Sequence, residues 1–355
     1  MKSENIKKND YSAKKHTGLA FTVTTVLLIF VFLLSLNIGK VRVDFVDMFN
    51  ILLSKLNLTG GFSPDIELQK QTVFFNVRLP RSIVAMFVGA GLSAAGSVMQ
   101  GLYRNPLAAP DVLGVSQAAN FGVGFAIFFF SAGTLGVQLT SFLFGLFALV
   151  FTFALISKIQ GSNITTLVLI GVIISALFQA GLTLLLYLSD PYSDMLRINY
   201  WLLGAFNTVS WTDVKIVVPV VLIGVIFLSI FSWKLNILSQ GDEEAQALGV
   251  NLKFWRGLYI LFVALVVSVS TASVGNISWV GLIIPHIARY IVGSNQKKAV
   301  PFSALLGGLF LIVIDTIVRN SPWGEIPISI ITSFIAAPFL LSLILSKQKR
   351  RSLYS

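Results

Sequence analysis

The 355-residue chain is 55% hydrophobic and only 12% charged, against about 25% charged residues in an ordinary soluble domain. Most of its surface is therefore expected to meet lipid. It has no cysteine, which excludes disulfides, thiolate metal ligands and thiol nucleophiles, and its two histidines, His16 and His286, are too few for a His-rich metal centre. The net charge of +11 gathers at the edges of apolar runs, where it reads as topology-setting charge and not as a nucleic-acid surface.

A crossing helix needs roughly 20 apolar residues, and the chain offers about ten such runs, which predicts an all-α, polytopic membrane protein. A lysine-rich tail, 1–17, precedes the first span, Gly18 to Ile38. No small-residue cleavage site follows that span, so it reads as a retained helix and not as a leader. The mixed stretch Gly39 to Val77 contains Gly60, Gly61 and Pro64, which are expected to break any long helix. The second span runs from Pro80 to Gly101, the third from Val115 to Gly133, and the fourth from Val137 to Ser157. The fifth covers Asn163 to Tyr187. A polar segment and a short apolar piece, Tyr200 to Phe206, then lead to the sixth at Val214 to Trp233. A charged loop, 234–256, separates this from the seventh, Gly257 to Val274. The eighth, Val280 to Val292, is short. The ninth is Ala299 to Val318, the tenth Ile326 to Ser346, and a basic tail, 347–355, ends the chain. The whole of 18–346 thus reads as one transmembrane domain. Placing both termini in the cytoplasm puts most of the basic residues on that side, as the positive-inside trend requires.

Small residues recur in the second span (Gly89, Gly91, Ala94, Ala95, Gly96), where they let helix backbones approach closely in lipid. They form no phosphate loop, because no Gly-Lys-Ser/Thr sequence follows them. Arg78 and Arg81 flank Leu79-Pro80 at the mouth of this span. Such arginines serve either as interfacial anchors or, through planar bidentate bonding, as docking points for carboxylates. In the charged loop, Gly241 and Gly249 bracket Asp242, Glu243 and Glu244, with Ala245 and Leu248 spaced to share one helix face. That pattern fits a short helix with exposed acids and a small apolar contact face, or a merely solvated loop helix. Asp315 lies four residues before Arg319, a helical spacing that predicts a structural ion pair. Asp315 and His286 are also the groups that a proton relay would use.

Taken in order, these motifs resemble the FecCD-type permease family, the membrane subunits of siderophore, haem and cobalamin importers. The resemblance rests on Arg78-Leu79-Pro80-Arg81, Val88-Gly89-Ala90-Gly91-Leu92, Gln100, and Arg104-Asn105-Pro106-Leu107-Ala108-Ala109-Pro110. It continues through Leu113-Gly114-Val115-Ser116, Trp201-Leu202-Leu203-Gly204 and the Gly241 to Gly249 loop. Trp279 to Arg289, Glu325-Ile326-Pro327 and Ala337-Pro338-Phe339 complete it. Departures are Asp242 where Glu is common, Gln296-Lys297-Lys298 for Asp-His-Arg, Ile328 where glycine is frequent, and Ala336 for a glycine.

The resemblance implies a ten-helix permease subunit of an ABC importer in the bacterial cell membrane, paired with a second permease subunit. It implies no enzyme activity and no cofactor in this chain, ATP being bound by a separate ATPase. Arg78, Arg81 and Arg319 would dock glutamates of an extracytoplasmic substrate-binding protein. Gly241, Asp242, Glu243, Ala245, Leu248 and Gly249 would couple to the ATPase, and Ser162, Asn163 and Ile164 would form a cytoplasmic gate. The implied cargo is an iron-siderophore-type chelate, with haem or cobalamin as alternatives. A reading from another class is a proton-coupled secondary transporter. An intramembrane enzyme ranks last, because no base–nucleophile pair or metal cluster is visible.

Overall fold

The computed structural model describes residues 2–55, 68–110, 114–159, 164–322 and 324–352, and among these it is helical with no strand. The helices are α1 (Lys2–Asn37), α2 (Phe45–Lys55), α3 (Leu68–Thr72), α4 (Leu79–Leu102), α5 (Val115–Phe130), α6 (Thr134–Ser157), α7 (Ile164–Leu188) and α8 (Asp194–Leu202). There follow α9 (Trp211–Ile230), α10 (Ser232–Leu238), α11 (Asp242–Ala247), α12 (Leu252–Val274), α13 (Val280–Val292), α14 (Gln296–Arg319) and α15 (Ile328–Ser352). Seven helical stretches among the described residues are long and apolar enough to cross a membrane. Three shorter apolar helices, Val115–Phe130, Val280–Val292 and Ile328–Ser342, coincide with the third, eighth and tenth expected spans.

Several boundaries differ from the sequence expectation for identifiable reasons. A π-helical segment, Val73–Arg78, joins α3 to α4, so helix runs unbroken from Leu68 to Leu102. Pro80 does not interrupt it, because it directly follows the π-helical segment, whose wider turn takes up a residue that lacks an N–H and crowds the preceding turn. α5 ends at Phe130, three residues early, where Ser131 turns left-handed (φ 46°). The charged loop 234–256 is itself largely helical. Its last part opens α12, which starts at Leu252 because the Asn251 side chain accepts the Phe254 amide at 3.1 Å. Helix extends into both tails, α1 starting at Lys2 and α15 reaching Ser352. The glycines and proline at 60, 61 and 64 lie outside the described residues.

α4 is the centre of the bundle. Of its most apolar stretch 78% is buried, against 17% for α1. It packs on α14, α9, α13 and α12. Glycines explain the closeness: a Cβ at Gly89 would strike the Gly307 carbonyl, and one at Gly96 would strike the Gly281 carbonyl. Lipid supplies no hydrophobic push between helices, so backbone proximity and its dispersion contacts hold such crossings together. At about 1.5 Å per residue, the 24 residues of α4 form a rod of about 36 Å. A cluster of charged side chains sits at each end of it.

Candidate functional site

At the first end, α4 begins beside the last turns of α1 and α14. Here the structure corrects the expectation of three outward-facing arginines: Arg78 and Arg81 are each 2% exposed and Arg319 7%. Arg78 donates from Nη1 to the carbonyls of Leu36 and Asn37, both at 2.9 Å, and from Nη2 to that of Val41. It therefore caps the C-terminal carbonyls of α1, which have no intrahelical donor. These bonds use three of the five N–H donors of the guanidinium.

Arg81 is the hub. Its Nε and Nη2 meet Asp315 Oδ1 at 2.8 and 2.7 Å, and its Nη1 bonds both carboxylate oxygens of Glu325 at 2.9 and 3.1 Å. The expected Asp315–Arg319 pair is thus corrected. Asp315 gives its carboxylate to Arg81, across 234 residues of sequence, and Arg319 turns away to donate to the Ser35 carbonyl at 2.5 Å. The i, i+4 spacing allowed the local pair, but helix packing brought a better-aligned donor from α4. Nε and Nη1 of Arg319 are buried without a hydrogen-bond partner among the described residues. Such unspent donors are costly in a low-dielectric interior. Glu325 is the accessible member of the cluster, its side chain 32% exposed.

At the second end of α4, Gln100 in the last turn donates to the Leu282 carbonyl at 3.1 Å and accepts from Arg289, fastening α4 to α13. Two residues after α4, Arg104 adopts a left-handed conformation (φ 51°) and forms an ion pair with Asp242, the first residue of α11. Arg256 of α12 bonds the same oxygen, Asp242 Oδ1, at 2.5 Å. The Arg256 hydrogen bond, with the positive charge of Arg256 and Arg104, holds the Asp242 carboxyl below the usual carboxylate range. It is ionised throughout the neutral range.

α11 is stopped by a Schellman motif. The Gly249 amide bonds the Gln246 carbonyl at 2.9 Å, the Val250 amide bonds the Ala245 carbonyl at 3.0 Å, and Gly249 supplies the positive φ of +74°. Ala245 is fully buried, whereas Leu248 is 63% exposed. The two do not share one apolar face, as their spacing suggested. Ala245 fixes α11 to the bundle, and Leu248 sits past the helix end, where it projects with Glu243 and Glu244. Gly241 is buried at the N-cap.

Of the expected gate, Ser162 and Asn163 lie outside the described residues, and Ile164 opens α7. Sequence reasoning missed the partners of Asp242, the Gln100–Arg289 bond and the Glu325–Arg81 bond. Glu325 already stood out as part of Glu325-Ile326-Pro327, but nothing local links it to a residue 244 positions away.

Comparison with known proteins agrees with this architecture. The model of the FecCD transport family matches residues 27–346. The molybdate import system permease protein MolB of Haemophilus influenzae is 40% identical over 92% of this chain and 95% of its own. The Fe(3+)-citrate import system permease protein YfmE of Bacillus subtilis is 32% identical over 93% and 96%. A solved structure described as a metal-chelate type ABC transporter in an inward-facing conformation superposes with a TM-score of 0.82. It is 36% identical to this chain and covers 93% of it and 99% of the solved chain.

Proposed function

The chain belongs to the FecCD transport family, and is thus a multi-pass membrane permease subunit of an ABC importer and not itself an enzyme; from that premise we propose how its two charged ends divide the work. The α11 end faces the cytoplasm, as the distribution of basic residues favours, with both termini on that side. There α11 is the contact for a separate ATPase, which supplies the ATP site that this chain does not provide. The observation that carries this reading is α11 itself: its base is anchored by Ala245 and Asp242, while Glu243, Glu244 and Leu248 stay exposed to a partner. The turn leading into α7, Ser162 to Ile164, is the gate on that side. The transmembrane domain spans 18–346, with the coupling segment at 234–256.

The Arg81 end meets an extracytoplasmic binding protein. Because its arginines are buried, docking requires exchange within the cluster: an incoming carboxylate displaces Glu325 from Arg81 or takes up the unspent donors of Arg319. Charge complementarity of this sort sets register and encounter rate more than affinity. A second permease subunit covers the exposed apolar faces of α7 and α15 and completes the pathway.

The cargo is an iron-siderophore-type chelate, a reading supported by similarity to an iron-citrate permease and to a metal-chelate type transporter. Molybdate is the second reading, favoured by the 40% identity to a molybdate permease. The test is reconstitution in liposomes with the ATPase and binding protein, measuring ATP-dependent accumulation of ferric chelates and, separately, of molybdate. Accumulation by the lone chain driven by a proton gradient would refute the division of labour. Molybdate uptake without chelate uptake would select the second cargo.

A further inference from the structure

One carboxylate joins three elements at the α11 end. Asp242 Oδ1 receives Arg104 from the turn after α4 and Arg256 from α12, while Ala245, three residues on, is fully buried. Arg104 reaches Asp242 from a left-handed backbone conformation that a non-glycine residue adopts only at an energetic cost. The turn around it is tightly specified: the Asn105 amide bonds the Gln100 carbonyl at 3.2 Å, and the Asn105 side chain accepts the Leu107 amide at 2.9 Å. The arginine is therefore held in place by its own turn and aimed at α11.

α4 is suited to transmit what arrives there. Its backbone lies against Gly281 and Gly307, and its last turn is pinned to α13 through Gln100. Its first turn carries Arg81, the hub of the opposite cluster. Neither end can shift alone without breaking close backbone contacts, because packed interiors are stiff.

We infer that Arg104 is a positioning residue that ties α11 to α4, so that displacement of α11 moves α4 as a strut and alters the Arg81–Asp315–Glu325 cluster about 36 Å away. The proposal rests on α11 being the ATPase contact. Arg256 supplies the second tie, to α12, so the pull is shared between α4 and α12. The signal runs both ways, as any coupling between two sites must. A binding protein that rearranges the Arg81 cluster thereby changes the position of α11.

The experiment uses the full complex in liposomes. Because the chain has no cysteine, Glu243→Cys provides one attachment point for a photo-cross-linker to the ATPase. In that background Arg104→Gln, Arg104→Gly and Arg104→Lys are compared for cross-linking, unstimulated ATP hydrolysis and stimulation by the binding protein. Arg104→Gln is expected to keep the cross-link and the unstimulated rate while lowering stimulation about threefold, the size appropriate to a half-exposed ion pair. Arg104→Gly, which removes the backbone strain along with the charge, should be equally impaired, and Arg104→Lys should recover. Full stimulation in Arg104→Gln or Arg104→Gly with the cross-link intact overturns the tie and leaves the α11 contact standing. Absence of the cross-link when Arg104 is unchanged overturns the α11 contact, and the tie with it.

Discussion

Arg81 and Asp315 form a pair with almost no solvent exposure, whereas Arg42 and Asp44 at 3.4 Å are open to solvent. Physical chemistry treats the two differently. Stripping one partner from a buried pair leaves an uncompensated charge and costs about 3–5 kcal/mol. An exposed pair is worth about 0–1 kcal/mol. Asp315→Ala is therefore expected to lower the thermal midpoint in detergent by the equivalent of about 3 kcal/mol, the lower end because Glu325 still engages Arg81. Arg42→Ala, which removes the exposed partner, should leave it unchanged. Equal midpoints for both variants would show that the Arg81 cluster carries no structural load. At this scale the sequence was half legible. It singled out Arg78, Arg81, Asp315 and Arg319 as unusual, because ionisable groups near a span are expensive. It offered Arg319 as the partner of Asp315 and not Arg81, because spacing along one helix reveals only neighbours on that helix.

Helix α4 shows how a run of small residues becomes architecture. Gly96 and Gly133 are both glycines, yet their surroundings differ completely: a Cβ at Gly96 collides with the Gly281 backbone, and one at Gly133 meets open space. Gly133 also has an ordinary φ of −71°, so a side chain there is unstrained. Gly96→Ala is accordingly expected to destabilise by about 1–3 kcal/mol by forcing α4 and α13 apart. Gly133→Ala should be tolerated. Thermal unfolding of the two variants in detergent tests this directly, and a tolerated Gly96→Ala would mean that the α4–α13 crossing can loosen. The small-residue stripe was readable in the sequence as a packing signal. Which helix each glycine meets was not, since composition names no partner.

Across the molecule, the apolar side chains of α15 are widely exposed, Phe334 at 77% and Leu341 at 58%. Lipid covers such a face as readily as another helix does. If a second permease subunit covers it, a single Phe334→Cys in this cysteine-free chain is expected to cross-link efficiently to that subunit with a short bifunctional reagent. Phe130→Cys, on α5 and 68% exposed, serves as a comparison site on another helix. Labelling by lipid-soluble probes alone at position 334 would argue that α15 faces the bilayer.

The sequence by itself determined that this is a helical membrane protein, where its apolar runs lie, and which ordered motifs tie it to its family. Hydrophobic runs and turn residues act locally, and a bilayer leaves helices as the only economical way for such runs to satisfy their backbones. Only the tertiary structure decided that Arg78 caps α1, that Arg81 holds Asp315 and Glu325, and that Asp242 is gripped from two sides. Those pairings join residues tens to hundreds of positions apart. They are fixed by which helices pack together, a property of glycine contacts and shape that no stretch of chain carries alone.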